Sequence, residues 1–207
     1  NKPFPFGVAI PDPNDPSQFI RANLNGMDAL HMGIEFDGVY KVLRNLSIEG
    51  MVSLGDWTWQ SKETIDVVGQ QFEFDAEGVH VGDAAQSTYA ASIRYEPIRN
   101  SYVKLKYTYF DRYFSDFDPF SLTTASGNGG RESWRIPSYG LLSVHVGYRV
   151  KFEKSSLVFR GTVFNALNQM YISDARTNQN GSGFDAASAG VFFGLGIRFN
   201  ASIGFEF

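Results

Sequence analysis

From Leu30 to the end of the chain, apolar and polar residues alternate in one stretch after another. In "MDALHMGIEFDGVYKV", Leu30, Met32, Ile34, Phe36, Tyr40 and Val42 fall on one side of an extended strand, and His31, Glu35, Asp37 and Lys41 on the other. Period-two alternation marks a strand with two unlike faces. A turn at Arg44–Asn45 leads to Leu46, Ile48, Val52 and Leu54, which continue the pattern up to "GDWTWQ". A third strand sets Tyr89, Ala91, Ile93 and Tyr95 against Thr88, Ser92 and Arg94. After the Pro-bearing turn "EPIRN", a fourth sets Val103, Leu105, Tyr107 and Tyr109 against Lys104, Lys106, Thr108 and Arg112. The fifth has Leu142, Val144, Val146, Tyr148 and Val150 opposite Ser143, His145 and Arg149, and the sixth has Leu157, Phe159 and Val163 opposite Arg160 and Thr162. The last run alternates from Val191 through Phe193, Leu195, Ile197, Phe199, Ala201, Ile203 and Phe205 to Phe207. The pattern predicts seven strands and no helix.

The connections carry as much information as the strands. Residues 1–26 are predicted to be a loop segment, because Pro3, Pro5, Pro11, Pro13 and Pro16 interrupt any ladder and Gly26 closes the stretch. Long loops are also predicted at about 61–84, 114–138 and 168–190, the first rich in Glu and Asp and the others in Gly and Ser. Between them lie short turns, in strict alternation. An antiparallel meander built this way puts every short turn at one end and every long loop at the other, as in a transmembrane β-barrel with short periplasmic turns and long extracellular loops. The predicted strands supply the roughly 9–11 residues that a tilted strand needs to cross the hydrocarbon. Aromatic residues near the strand ends fit two interfacial girdles: Tyr40, Tyr95, Tyr148, Phe152, Phe205 and Phe207 by the short turns, and Trp57, Trp59, Tyr109 and Tyr113 by the long loops.

Composition agrees with an all-β chain: aromatics are 15% of 207 residues, with 19 Phe, 10 Tyr and 21 Gly. A formal charge of −4 gives no basic footprint for nucleic acid. Without Cys there is no disulfide framework and no thiol chemistry. The opening "NKPFPFGVAIPDPNDP" has neither the basic nor the apolar region of a signal peptide. No apolar run is long enough for a membrane-spanning helix, a test to which alternating barrel strands are blind.

The stretch "FNASIGFEF", through Phe199, Ala201, Ile203, Phe205 and Phe207, resembles the C-terminal signal of bacterial outer-membrane proteins. The resemblance implies that the barrel-assembly machinery recognises these positions. The stretches "MDALHMGIEFDGVYKVLRNLSIEGMVSLGDWTWQS", "YTYFDRYFSDFDP" and "GTVFNALNQMYISDA" resemble the last third of TonB-dependent outer-membrane transporters. That family has a plugged barrel of about 22 strands, so residues 27–207 would be its closing strands. The resemblance implies uptake of a scarce solute, such as a ferric chelate, vitamin, oligosaccharide or peptide, across the outer membrane of a Gram-negative bacterium. It implies as partners outer-membrane lipid, the remaining barrel strands and a plug domain on the same or another chain, TonB acting through the plug, and a surface lipoprotein. Seven open strands would leave two unsatisfied edges in lipid, so the rest of the barrel must come from elsewhere. A structural or adhesive barrel subunit that closes by oligomerisation is the alternative reading.

Candidate chemistry is sparse. Ser143 and His145 share a face without an assignable acidic orienter, and polar lumen residues explain them better than catalysis. Asp111, Asp116 and Asp118 lack the regular spacing of a calcium loop. No enzyme activity, cofactor or metal is expected. Loops carry function on rigid scaffolds, so Trp57, Trp59, Phe72, Phe74, Trp134 and Tyr171 are the candidates for ligand contact. The inward charges, Glu35, Asp37, Glu49, Arg94, Lys104, Lys106, Arg149, Arg160 and Arg198, read as a mutually neutralising cross-strand ladder before they read as a docking surface.

Overall fold

The computed structural model describes residues 8–12, 15–22, 27–67, 70–124, 127–177 and 183–207. Seven long strands form one antiparallel meander: β3 (Ala29–Leu43), β4 (Leu46–Trp59), β7 (Ala85–Tyr95), β8 (Ser101–Phe114), β10 (Tyr139–Lys151), β11 (Ser156–Phe164) and β14 (Arg198–Glu206). They lie side by side in chain order from β3 at one edge to β14 at the other, and the sheet stays open. The seven predicted strands are all present. Several exceed the predicted length of roughly 9–11 residues, with 15 residues in β3 and 14 in β4 and β8.

Register turns the alternation of each strand into two continuous surfaces. Paired residues run across the sheet as Ile48–Ile93–Leu105–Val144–Val163–Phe199 on one face. On the other face they run as Ser47–Arg94–Lys104–His145–Thr162–Asn200. A slip of one residue would exchange the faces, so the pattern itself specifies the pairing. The apolar face is exposed across its width, from Phe36 and Tyr40 on β3 to Ile203 and Phe205 on β14.

Two expectations about the girdles and one about the last strand are corrected. In β4 the apolar face holds Ile48, Val52 and Leu54, so Trp57 and Trp59 have the opposite parity and face inward with His31 and Ala29, which they pair. Tyr113 is buried against Ile136 and Ala175, away from the exposed apolar face. The last run is not one strand: Gly190–Phe193 forms β13, which pairs with β12 (Ile172–Arg176), and only Arg198–Glu206 joins the main sheet.

The break has a specific cause in the "FNALNQ" turn. Asn165 and Asn168 both adopt left-handed backbone with φ of 49° and 50°, which Asn tolerates better than most residues. Asn165 Oδ1 accepts from the Gln169 N–H, and its Nδ2 donates to the carbonyls of Gln169 and Leu195. Asn168 Oδ1 accepts from the Ile197 N–H, and the Gly194 N–H donates to the Tyr171 carbonyl. These bonds pull residues 194–197 out of the ladder although their alternation continues. Asn165→Ala is therefore expected to cost ~2 kcal/mol by stripping three bonds from a buried side chain and straining its backbone. A lowered midpoint of thermal unfolding in detergent would register it.

The long connections are more ordered than a loop reading suggests. β1 (Val8–Asp12) pairs with β2 (Asp15–Ala22), placing Pro11 and Pro16 in a two-stranded ribbon. An isolated hairpin has two free edges, and Pro fits there. Pro3, Pro5, Pro13 and Gly26 lie outside the described residues. β5 (Lys62–Val67) pairs with β6 (Gln70–Asp75), tied by Lys62 and Asp75 at 2.9 Å. The connection after β8 contains a 3-10 turn at Pro119–Leu122 and the short β9 (Arg135–Ile136), which pairs with the end of β8.

Candidate functional site

All the long connections leave the same end of the meander, and there they build a common core. Met27 from the approach to β3, Phe74, Ala76 and Val79 from the first long connection, Phe117 and Leu122 from the second, and Phe184 from the third pack together with Trp59. A smaller core joins Tyr113, Ile136 and Ala175, flanked by Trp134, Tyr139 and Ile172. The sheet, by contrast, buries little between its faces, so the main apolar packing lies in a cap at the long-loop end.

A polar network ties the cap to the strands. His80 Nδ1 lies 2.5 Å from Glu132 Oε2, and Arg112 donates to Asp56 at 2.9 Å and to the Gly55 carbonyl at 2.8 Å. Arg112 also reaches His80 Nε2 at 3.2 Å. Arginine has no acceptor, so Nε2 accepts and the proton on Nδ1 is donated to Glu132. The imidazole stacks on Phe114 at 4.1 Å. Arg112 holds left-handed backbone at φ 50°, a strained state for a long side chain that this network fixes. The network joins residues far apart in sequence, and no local pattern announces it.

Beside it, Asp83, Asp116 and Asp174 with Arg176, Val191 and Phe192 line a cleft of about 520 Å³. Burial, and next the charge of Asp83, push the Asp116 carboxyl up to about 7, against the pull of the Phe117 N–H and Arg176. Asp83 is raised as well although water reaches it, first because the surrounding protein desolvates the carboxylate and then because of Asp174. A carboxyl with a raised folded-state pKa binds more protons folded than unfolded, so stability falls as pH rises from the ordinary Asp range to about 7. The cap is expected to resist protease better at pH 5 than at pH 8, with Asp116→Asn reducing the difference. Digestion of the loops at the two pH values measures this.

The six aromatic residues predicted for ligand contact are dispersed. Phe74 is in the cap core, with Trp59 edge-on to Phe117 at 6.5 Å. Trp134 packs on the smaller core. Tyr171 stacks on Tyr139 at 4.4 Å and covers Gly194, where a Cβ would collide with its ring. Phe72 belongs to β6, and its side chain lies outside the described part. Trp57 stands half-buried on the inward face beside His31, with ring centroids 5.3 Å apart.

Asp111 pairs with Arg135 at 2.7 Å, and among the described residues no three His, Asp or Glu side chains are grouped to hold a metal. His145 Nδ1 has Thr162 Oγ1 at 3.1 Å as its partner. The positions expected to form an assembly signal, Phe199, Ala201, Ile203 and Phe205, lie on the apolar face of β14, with Phe207 beyond it and all five exposed. Phe199 is 87% exposed.

An open antiparallel meander with one apolar and one polar face, capped by long connections at one end, is the architecture of a β-barrel wall. The chain has that fold in common with the siderophore receptor PiuA from Acinetobacter baumannii, at a TM-score of 0.56 and 13% identity over 97% of this chain. The ferric preacinetobactin receptor BauA from Acinetobacter baumannii superposes with a TM-score of 0.54 and 14% identity over 100% of this chain. The chain spans 24% and 26% of the lengths of those two receptors. No protein-family model and no curated protein matches it.

Proposed function

We propose that this chain is the last third of the barrel of a TonB-dependent transporter in a Gram-negative outer membrane. The observation that carries the proposal is the exposed apolar row from Ile48 to Phe199, backed across the same strands by a polar, charged row. Exposed apolar surface of that extent suits lipid, and the polar side suits a filled or water-lined lumen.

On this reading the solute is one too scarce or too large for simple diffusion, and the siderophore receptors of like fold make ferric chelates the first class to test. Trp57 and His31, inward-facing at the capped end, are the side chains best placed to meet it. The remaining strands close the barrel, a plug domain fills it, and TonB acts through that plug. The exposed row Phe199, Ala201, Ile203, Phe205 and Phe207 offers an edge for the assembly machinery. A surface lipoprotein would dock on the cap. The role is transport, with no catalytic step.

The unpaired outer edges of β3 and β14 also suit closure by several copies of a short chain, and mass separates the two readings. Native polypeptide from detergent-solubilised outer membrane, denatured and detected with an antibody to residues 27–207, is expected to run several-fold above 23.1 kDa. A mass near 23.1 kDa would favour the oligomeric subunit, and recovery in the aqueous fraction would contradict both.

A further inference from the structure

The inward charges do not form an evenly neutralised ladder; they sort by sign across the sheet. On β3 and β4 the inward positions carry Glu35, Asp37 and Glu49, with Lys41 at one end. On β7, β8, β10, β11 and β14 they carry Arg94, Lys104, Lys106, Arg149, Lys151, Arg160 and Arg198, and one acid, Glu206. Arg94 and Lys104 are directly opposite each other, an arrangement that destabilises a sheet unless something offsets it.

Intrachain acids offset part of it. Glu49 takes Lys104 at 2.5 Å, Glu96 takes Arg94 at 3.1 Å, and Glu206 takes Arg149 through both carboxylate oxygens. Lys106, Lys151 and Arg160 have no ion pair among the described residues. Arg198 lies over the Phe164 ring, 5.5 Å from its centroid.

Towards the short turns the basic side opens into a cleft of about 320 Å³ lined by Arg94, Tyr102, Arg149, Lys151 and Arg160. The Tyr102 ring lies against Gly147, occupying the space a Cβ would need, and the Arg94 guanidinium sits over that ring at 4.0 Å. This stacking presents the cation at a fixed position. Lys106 on β8 is opposite Ser143 of β10, and Arg198 on β14 is opposite Phe164 of β11; β8 and β14 are three steps apart in the sheet, so Lys106 and Arg198 are separated by at least roughly 14 Å at the usual strand spacing. That separation exceeds a single small anion and suits a folded surface bearing several carboxylates.

We infer that the inward face of β7–β14 is the docking surface for an acidic face of a polypeptide segment seated inside the barrel, with Lys106, Lys151 and Arg160 as its unpaired contacts. The inference rests on the barrel reading. It specifies the charge of what fills the lumen on this side.

Zero-length carbodiimide coupling on isolated outer membranes tests it, because the reagent joins a lysine amine to a carboxylate in direct contact. Peptide mapping is expected to find Lys106 and Lys151 joined to Asp or Glu residues outside this 207-residue sequence. Lys106→Gln should abolish the first link, and Arg160→Glu should reduce the second about fivefold, the factor for roughly one exposed ion pair. Links from these lysines only to acids within residues 1–207, or no links, would overturn the inference while leaving the barrel reading intact. Absence of the chain from the outer-membrane fraction, seen before any coupling, would remove the barrel reading instead.

Discussion

Arginine in place of Leu105 is expected to destabilise the barrel wall by ~2–4 kcal/mol in a bilayer, the cost of a cation near the midplane of a lipid face. Leu105 is the middle of the row that runs from Ile48 through Ile93 to Val144, Val163 and Phe199. Its cross-strand partners, Ile93 and Val144, are apolar, so the guanidinium finds no acceptor beside it. Turning inward is closed to it as well, since a one-residue slip would move every side chain of β8 to the wrong face. Lys106→Arg, one residue along, keeps its charge on the inward face and is expected to change stability by no more than about 0.5 kcal/mol. Urea unfolding in lipid vesicles compares the two variants. Equal and small effects would mean that Leu105 does not meet hydrocarbon.

Phe117→Ala is expected to cost the cap ~3–5 kcal/mol, the range for emptying a buried aromatic site. Phe117 is 1% exposed and packs with side chains from every long connection and from the approach to β3. Its removal leaves a cavity at the point where those segments meet, and the edge-on contact with Trp59 goes with it. The loss should be local. The strands are held by their own ladder, while the cap is held by this core and by the His80–Glu132 and Arg112–Asp56 contacts. Limited proteolysis of intact cells should therefore cut the loops of Phe117→Ala much faster than those of the parent, with the membrane-embedded strands still protected. Unchanged loop protection would show that the cap does not depend on this core.

The strands were legible because their information is local: in β8, Val103, Leu105 and Tyr107 against Lys104, Lys106 and Thr108 state both the element and its faces. The cap was not legible, because its determinants are pairings between distant segments. Phe74 looks like a loop aromatic free to meet a ligand until the fold packs it in one core with Phe117. Trp57 and Trp59 sit at a strand end where a girdle is expected, and only the parity of β4 shows that they face inward. The closing run misleads for the opposite reason. Leu195 and Ile197 keep perfect alternation, but Asn165 and Asn168 capture the backbone groups that a ladder would need. The prolines near the start suggest a stretch too broken for a ladder, yet a free-edged hairpin accommodates Pro11 and Pro16. Charge segregation is a property of the sheet, set by the order of its strands, and no single strand displays it.

The central claim is that one face of this sheet meets lipid and the other does not, residue by residue. This 207-residue sequence contains no cysteine, so single cysteines placed at positions 103–108 of β8, in a background free of any other, can carry an environment-sensitive fluorophore in native membranes. The account predicts quenching by bromolipids at Val103, Leu105 and Tyr107, and quenching by aqueous iodide at Lys104, Lys106 and Thr108 wherever the docked segment leaves them open. Alternation with the opposite phase, or equal aqueous quenching at all the positions, would contradict it.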